Sequence, residues 1–253
     1  MKTARRPAAG PQLDTAPLPT GVAKRAAVKD MFDAIAPRYD LVNRVMTGGL
    51  DQRWRRRTLD ALALPPGSRL VDLGSGTGDF VRLARRDGHR VVGVDLSYEM
   101  LAAGRRRGAL VAVQADAERL PIADGSIDGV VSGFALRNLA DLAASLDEAA
   151  RVLRPGGRIA LLEVAQPPPG PLRYGFSLWF EHVVPAIGGL LSDRAAYRYL
   201  PKSVAYLPDE AGLRGLLHES GFATVGRRLL HGGLSQLITA TRRGLPPPAA
   251  EVS

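Results

Sequence analysis

The strongest constraint on this chain is a change of hydrophobic pattern at residue 69. Beyond it, short runs rich in Val, Ile and Leu recur at 69–73, 91–95, 111–114, 127–132 and 158–164. Segments of helical period lie between them, at about 79–86, 97–107 and 141–153. Strands separated by helices must cross over and pair in parallel, with helices on both faces of the sheet. The expected fold is therefore α/β with a doubly wound sheet. After the proline-rich break 166–171, the chain reads as helical and irregular to about 207. A helix from Asp209 to Ser220 ends at Gly221. Two last strands, about 223–230 and 234–241, have few residues between them and form an antiparallel hairpin at the sheet edge.

The segment before residue 69 is helical. Val28, Met31, Phe32 and Ile35 lie on one helical face, stopped by Pro37. Leu41, Val42, Val45 and Met46 give a second helix, closed by Gly48-Gly49. Asp51 is placed to cap a third, running through Trp54 towards Leu62. One ordered domain, 23–241, results. It divides into N-terminal helices (23–63), a binding core (64–164), a cap (165–207) and a closing helix and hairpin (208–241). Residues 1–22, with four prolines, and 242–253 are expected to be disordered.

Composition narrows the class. No apolar run approaches the roughly 18 residues that span a bilayer, and the basic start carries no apolar stretch of an export signal. Cysteine is absent, which removes disulfides, thiolate metal sites and cysteine nucleophiles. No metal site is expected, and a cytoplasmic location fits. The net charge is +9, of which residues 1–63 carry +6 (12 Lys/Arg, 6 Asp/Glu) and 64–164 none (13 of each). Such a bias can draw a protein to nucleic acid or to an anionic membrane. With 30 Arg against four Lys it reads equally as the solvated surface of an Arg-biased genome. A homodimer stays open.

The residues that carry chemistry sit at strand ends. The first strand runs into Asp72-Leu73-Gly74-Ser75-Gly76-Thr77-Gly78-Asp79, which opens a helix. Glycines there let the backbone approach a ligand closely, and Asp72 supports the turn by bonding its amides. The second strand ends at Asp95, placed to accept the hydroxyls of a ribose. A dinucleotide fingerprint needs glycine at 79, where this chain has Asp79, and a carboxylate there would repel a diphosphate. The phosphate-free, cationic S-adenosylmethionine suits the turn better. Asp116-Ala117 follows the third strand, with Asp116 placed for an adenine amino group and Ala117 for the ring face. The fourth strand ends in Gly133-Phe134-Ala135-Leu136-Arg137-Asn138, without the Asn/Asp-Pro-Pro-aromatic motif of enzymes that methylate amino groups of nucleic-acid bases. The methyl acceptor is thus expected to be a small molecule rather than nucleic acid.

Several blocks resemble the ubiquinone/menaquinone C-methyltransferase family: residues 28–44 (VKDMFDAIAPRYDLVNR), 133–138 (GFALRN), 161–164 (LLEV), and 197–203 (YRYLPKS) with Leu207-Pro208 beyond. The resemblance spans about 25–241. It implies a class I, Rossmann-like methyltransferase fold of seven strands that uses S-adenosylmethionine to methylate a ring carbon of a lipophilic, prenylated quinol. The closest fit is demethylmenaquinol. A phenolic or polyketide metabolite methylated on carbon or oxygen is the alternative. The resemblance also implies that Arg137 and Asn138 sit beside the ring, that Gly133 lies near the cofactor, and that Tyr39, Asp40, Tyr197 and Tyr199 belong to substrate site or lid. Such a substrate makes transient contact with the inner face of the membrane an expectation. Seven of the 14 aromatics lie between Tyr174 and Tyr206, enough to line an apolar channel or simply to pack a cap. Where family members often carry Gly-Leu-His, this chain has Gly49-Leu50-Asp51.

Overall fold

A computed structural model describes residues 19–108, 111–184, 186, 199 and 201–244. Most of the expected arm and tail lies outside this set, as does Tyr197. Gly21 and Val22 belong to the first helix.

Three helices precede the sheet: α1 (Gly21–Ile35), α2 (Tyr39–Thr47) and α3 (Leu50–Ala61). Gly48 ends α2 in the left-handed conformation, and its N–H bonds back to Arg44 and Val45. Asp51 does not cap α3. The cap position is Gly49, and the Asp51 side chain turns inward within the first helical turn.

The sheet follows as β1 (Arg69–Leu73), β2 (Arg90–Asp95), β3 (Ala112–Gln114), β4 (Ile127–Gly133), β5 (Leu153–Val164), β6 (Phe222–Leu230) and β7 (Ser235–Arg242). Between strands lie α4 (Asp79–Arg86), α5 (Tyr98–Arg106), α6 (Leu142–Val152), α7 (Pro171–Leu178) and α8 (Glu210–Glu219). The order is β3-β2-β1-β4-β5-β7-β6, with β1 to β5 parallel and β6 and β7 antiparallel. Strand β5 starts earlier than its apolar run suggests. Leu153 pairs with Ile127, and a register shift lets the Pro155-Gly156-Gly157 stretch join the strand.

Both faces of the sheet are buried, and neighbouring residues on one strand serve opposite cores. Val71, Val130, Ile159 and Leu161 pack with Leu146 and Ala149 of α6 and Leu213 and Leu217 of α8. Leu70, Val131, Ala160 and Leu162 pack with Trp54 and Leu59 of α3 and Phe80 and Val81 of α4. The N-terminal helices form a third core, in which Met31, Ile35 and Val42 surround Tyr199.

Gly93 ties this packing to the turn after β1. A Cβ there would lie 2.4 Å from Ser75 Oγ and 2.9 Å from Ser75 Cβ. Gly93→Ala should cost about 1–3 kcal/mol by overpacking, seen as a lower denaturant midpoint, with cofactor binding weakened because the turn must shift. Unchanged stability would show that the turn is not packed this way.

Candidate active site

Strand order reverses between β1 and β4, so the connections after them leave in opposite directions and open a cleft at the strands' carboxyl ends. Gly74, Gly76, Asp95, Asp116, Ala117, Gly133 and Asn138 line that cleft together with Tyr39. Gly74 and Gly76 both have positive φ, 63° and 56°. A Cβ on Gly74 would strike the Ala135 Cβ at 2.5 Å, so the turn admits only glycine there.

Asp95 is held by its surroundings. Its Oδ2 accepts from the Gly76 N–H at 2.7 Å and its Oδ1 from the Ser97 N–H at 2.8 Å. Burial nevertheless outweighs these bonds and pushes its pKa up to about 6. Asp72 stands behind the turn. It does not bond the turn amides, since neither of its oxygens has a hydrogen-bond partner in the protein. Burial raises its pKa to about 7, opposed by the charge of Arg55. A buried carboxylate with unmet acceptors at this strand end suits the ammonium group of a methionine moiety.

Thr77 and Gly78 do not line the cleft. Thr77 is buried, and its hydroxyl donates to Asp40 Oδ1 at 2.6 Å. Asp40 also pairs with Arg107, so it fastens α2 to the turn and to the end of α5 and faces no cavity. Asp116 forms an ion pair with Arg25, Nε to Oδ2 at 2.6 Å, and accepts a hydrogen bond from the Glu118 N–H at 3.0 Å. Arg25, on α1, reaches Glu118 as well. Arg25 was not evident from sequence, because its partners lie more than 90 residues away.

A second cavity, of about 390 Å³, adjoins the cleft; Phe32, Tyr39 and Phe134 line both. Its walls are mostly apolar, among them Met31, Ile35, Trp54, Leu172, Phe176 and Trp179. Polar groups enter from Asn43, Thr47, Asp51 and Arg137. Of the clustered aromatics whose side chains are described, Phe176 and Trp179 line it. Tyr199 packs in the N-terminal core, with no partner for its hydroxyl, and does not reach the cavity. Tyr174 is exposed, and Tyr206 lies under Lys24.

Arg137 and Asn138 separate. They share a 3₁₀ turn, Leu136–Asn138, in which successive side chains point about a third of a turn apart. Arg137 lines the apolar cavity, while Asn138 lines the cofactor cleft and donates to the Phe134 carbonyl at 3.3 Å. Arg137 is 6% exposed. Its Nη1 pairs with the fully buried Glu163, and its Nε donates to Ser203 at 3.1 Å. The pair is therefore interior. Glu163 belongs to the LLEV block, whose residue types hinted at no role.

The model of the ubiE/COQ5 methyltransferase family matches residues 20–242. The chain belongs to this family. A demethylmenaquinone methyltransferase of Beutenbergia cavernae is 45% identical over 218 residues, 85% of this chain and 90% of that protein. One from Thermus thermophilus is 42% identical over 84% of this chain and all of its own length. The ubiquinone/menaquinone biosynthesis C-methyltransferase UbiE of Syntrophotalea carbinolica is 42% identical over 85% and 93%. Among solved structures, a Haemonchus contortus phosphoethanolamine N-methyltransferase bound to S-adenosylhomocysteine superposes with TM-score 0.62, at 16% identity over 85% of this chain and 60% of that one. A Thermotoga maritima S-adenosylmethionine-dependent methyltransferase gives 0.57, at 21% identity over 85% and 100%. The fold of this family member is thus that of S-adenosylmethionine-dependent methyltransferases.

The raised carboxylates set a pH dependence. With native pKa values above the unfolded values near 4, Asp72 and Asp95 stabilise the protein at low pH and lose that contribution as pH rises through about 6 to 7. An ammonium group bound near Asp72 would favour its ionised form, so cofactor binding is expected to run the other way. Affinity for S-adenosylmethionine should rise by about tenfold between pH 6 and 8. Calorimetry in two buffers should show proton release below pH 7, and Asp72→Asn should abolish most of it. Binding without proton release would contradict this account of Asp72.

Proposed function

We propose that this enzyme transfers the methyl group of S-adenosylmethionine to a ring carbon of a prenylated quinol, converting demethylmenaquinol to menaquinol. The observation that carries this reading is the apolar cavity set against the cofactor cleft, with one buried arginine at its wall. The near full-length relatives named for demethylmenaquinone support it.

S-adenosylmethionine, when bound, supplies an electrophilic methyl group on a positively charged sulfur. Everything else falls to the protein. Asp95 has lone pairs left on both oxygens for ribose hydroxyls. Asp116 can share its carboxylate between Arg25 and an adenine amino group. Phe32, Tyr39 and Phe134, common to both spaces, bring donor and ring together and keep water out. The ring becomes nucleophilic as a hydroxyl proton leaves and charge grows on oxygen. An arginine side chain is not a base near neutral pH. Glu163 and Ser203 fix the guanidinium, and its remaining N–H donors are free to stabilise that oxygen.

Residues of α7 line one side of the cavity. Leu172, Tyr174, Leu178 and Trp179 are exposed there, an apolar surface suited to brief contact with the bilayer that dissolves the substrate. The protein should co-sediment with anionic liposomes at low salt, and Leu172→Ser with Leu178→Ser should reduce this. Absence of co-sedimentation by the wild type would remove the membrane contact.

Labelled methyl should pass from S-adenosylmethionine to a short-chain demethylmenaquinol under reducing conditions. Arg137→Ala should lower kcat by about 10²–10³-fold while cofactor affinity holds. No transfer by a wild type that binds cofactor would overturn the quinol reading and point to another phenolic acceptor.

A further inference from the structure

The reaction just described needs a proton acceptor, and Arg137 cannot be one. We infer that Asp51 takes the hydroxyl proton of the acceptor ring, an inference that rests on the quinol reading. Three ionisable side chains line the apolar cavity among the described residues: Tyr39, Asp51 and Arg137. Arg137 is committed to Glu163. Burial pushes the Tyr39 hydroxyl up, so it stays protonated and acts as a donor. Asp51 is the carboxylate that remains, and it is 3% exposed.

The surroundings of Asp51 orient it and leave it an open acceptor. Gln52 Nε2 donates to Oδ2 at 2.8 Å. Thr47 Oγ1 lies 3.1 Å from Oδ1 but 2.8 Å from the Asn43 carbonyl. One hydroxyl proton serves only one of these at a time, so Oδ1 can take a proton from a ligand. The charged groups around it come from every neighbouring element. Arg44 of α2 approaches to 3.7 Å. Asp79, at the start of α4, shares the Gln52 amide and is itself neutralised by Arg44, Arg55 and Arg82. Tyr39 and Arg137 share its cavity. A carboxylate turned into an apolar cavity pays a desolvation cost that a purely structural residue could avoid by facing solvent.

The bookkeeping of bonds is simple. The quinol O–H bond breaks and an O–H bond forms on Asp51. The electron pair left on oxygen feeds the adjacent ring carbon, which forms the C–CH₃ bond as the S–CH₃ bond breaks. Rearomatisation expels the ring proton and returns one to oxygen, so each turnover releases one proton. Arg137 steadies the oxygen while it is charged.

The test has two arms. In the first, no methyl donor is added, and quenching of Trp54 and Trp179, both in the cavity wall, reports binding of 4-methoxy-1-naphthol and of 1,4-dimethoxynaphthalene. Wild type should prefer the naphthol about tenfold or more, the value of a hydrogen bond to a charged group. Asp51→Ala should bind the two alike. In the second, Asp51→Asn, which keeps the shape, should lower methyl transfer to demethylmenaquinol about 10²–10⁴-fold with cofactor affinity unchanged. The deficit should shrink as pH rises towards about 10, where a phenol ionises unaided. A pH-independent deficit, a rate within about tenfold of wild type, or a naphthol preference that survives Asp51→Ala would each overturn the inference. A wild type that transfers nothing to the quinol, yet prefers the naphthol only while Asp51 is present, would instead defeat the substrate and leave Asp51 as the acceptor of some other phenol.

Discussion

The whole arrangement depends on the reversal of strand order between β1 and β4. Two neighbouring parallel strands send their chains to opposite sides and leave a crevice at their carboxyl ends. The strand-end residues that line the cleft, Gly74, Gly76, Asp95 and Gly133 among them, sit around that gap. The turn after β1 and the end of β2 form one wall, and the 3₁₀ turn after β4 forms the other. The N-terminal helices then roof it, fastened by Thr77–Asp40, Arg25–Asp116 and Ser97–Asp33.

Polarity is divided between the two spaces. Burial raises the carboxyls of Asp95, which lines the cleft, and of Asp72, which stands buried behind its turn. At the base of α4, burial alone would raise Asp79, but Arg55 and Arg82 outweigh it and hold the carboxyl below its usual range. In the adjoining cavity, Arg137 is matched against Glu163 at full burial. Such a pair adds little net stability, because desolvation offsets its attraction. What the pair does is positional: Glu163 and Ser203 fix the guanidinium at the wall of the apolar cavity.

The sheet was legible in the sequence because its strands are local: β-branched runs, glycine at the turns and an acidic residue at each relevant end. The glycine turn, Asp95 and Asp116 were legible for the same reason. What escaped depends on packing between distant segments. Arg25 meets Asp116, and Glu163 meets Arg137, only once the sheet has formed. Asp51 reads as a helix cap by position, but the two glycines before it already end one helix and start the next, which frees its side chain to turn inward. Tyr199 reads as a substrate residue by resemblance, whereas its ring fills the core beneath α1. Arg137 and Asn138 read as a pair, and the tight 3₁₀ turn sends them to different rooms.

The central claim is that two adjoining spaces direct the methyl group to carbon. The most direct measurement is the position of the label after reaction with trideuteromethyl S-adenosylmethionine, read by NMR of the purified product. The account predicts the CD₃ group on the quinol ring, with the ring proton at that carbon lost. A CD₃ group on oxygen would contradict it.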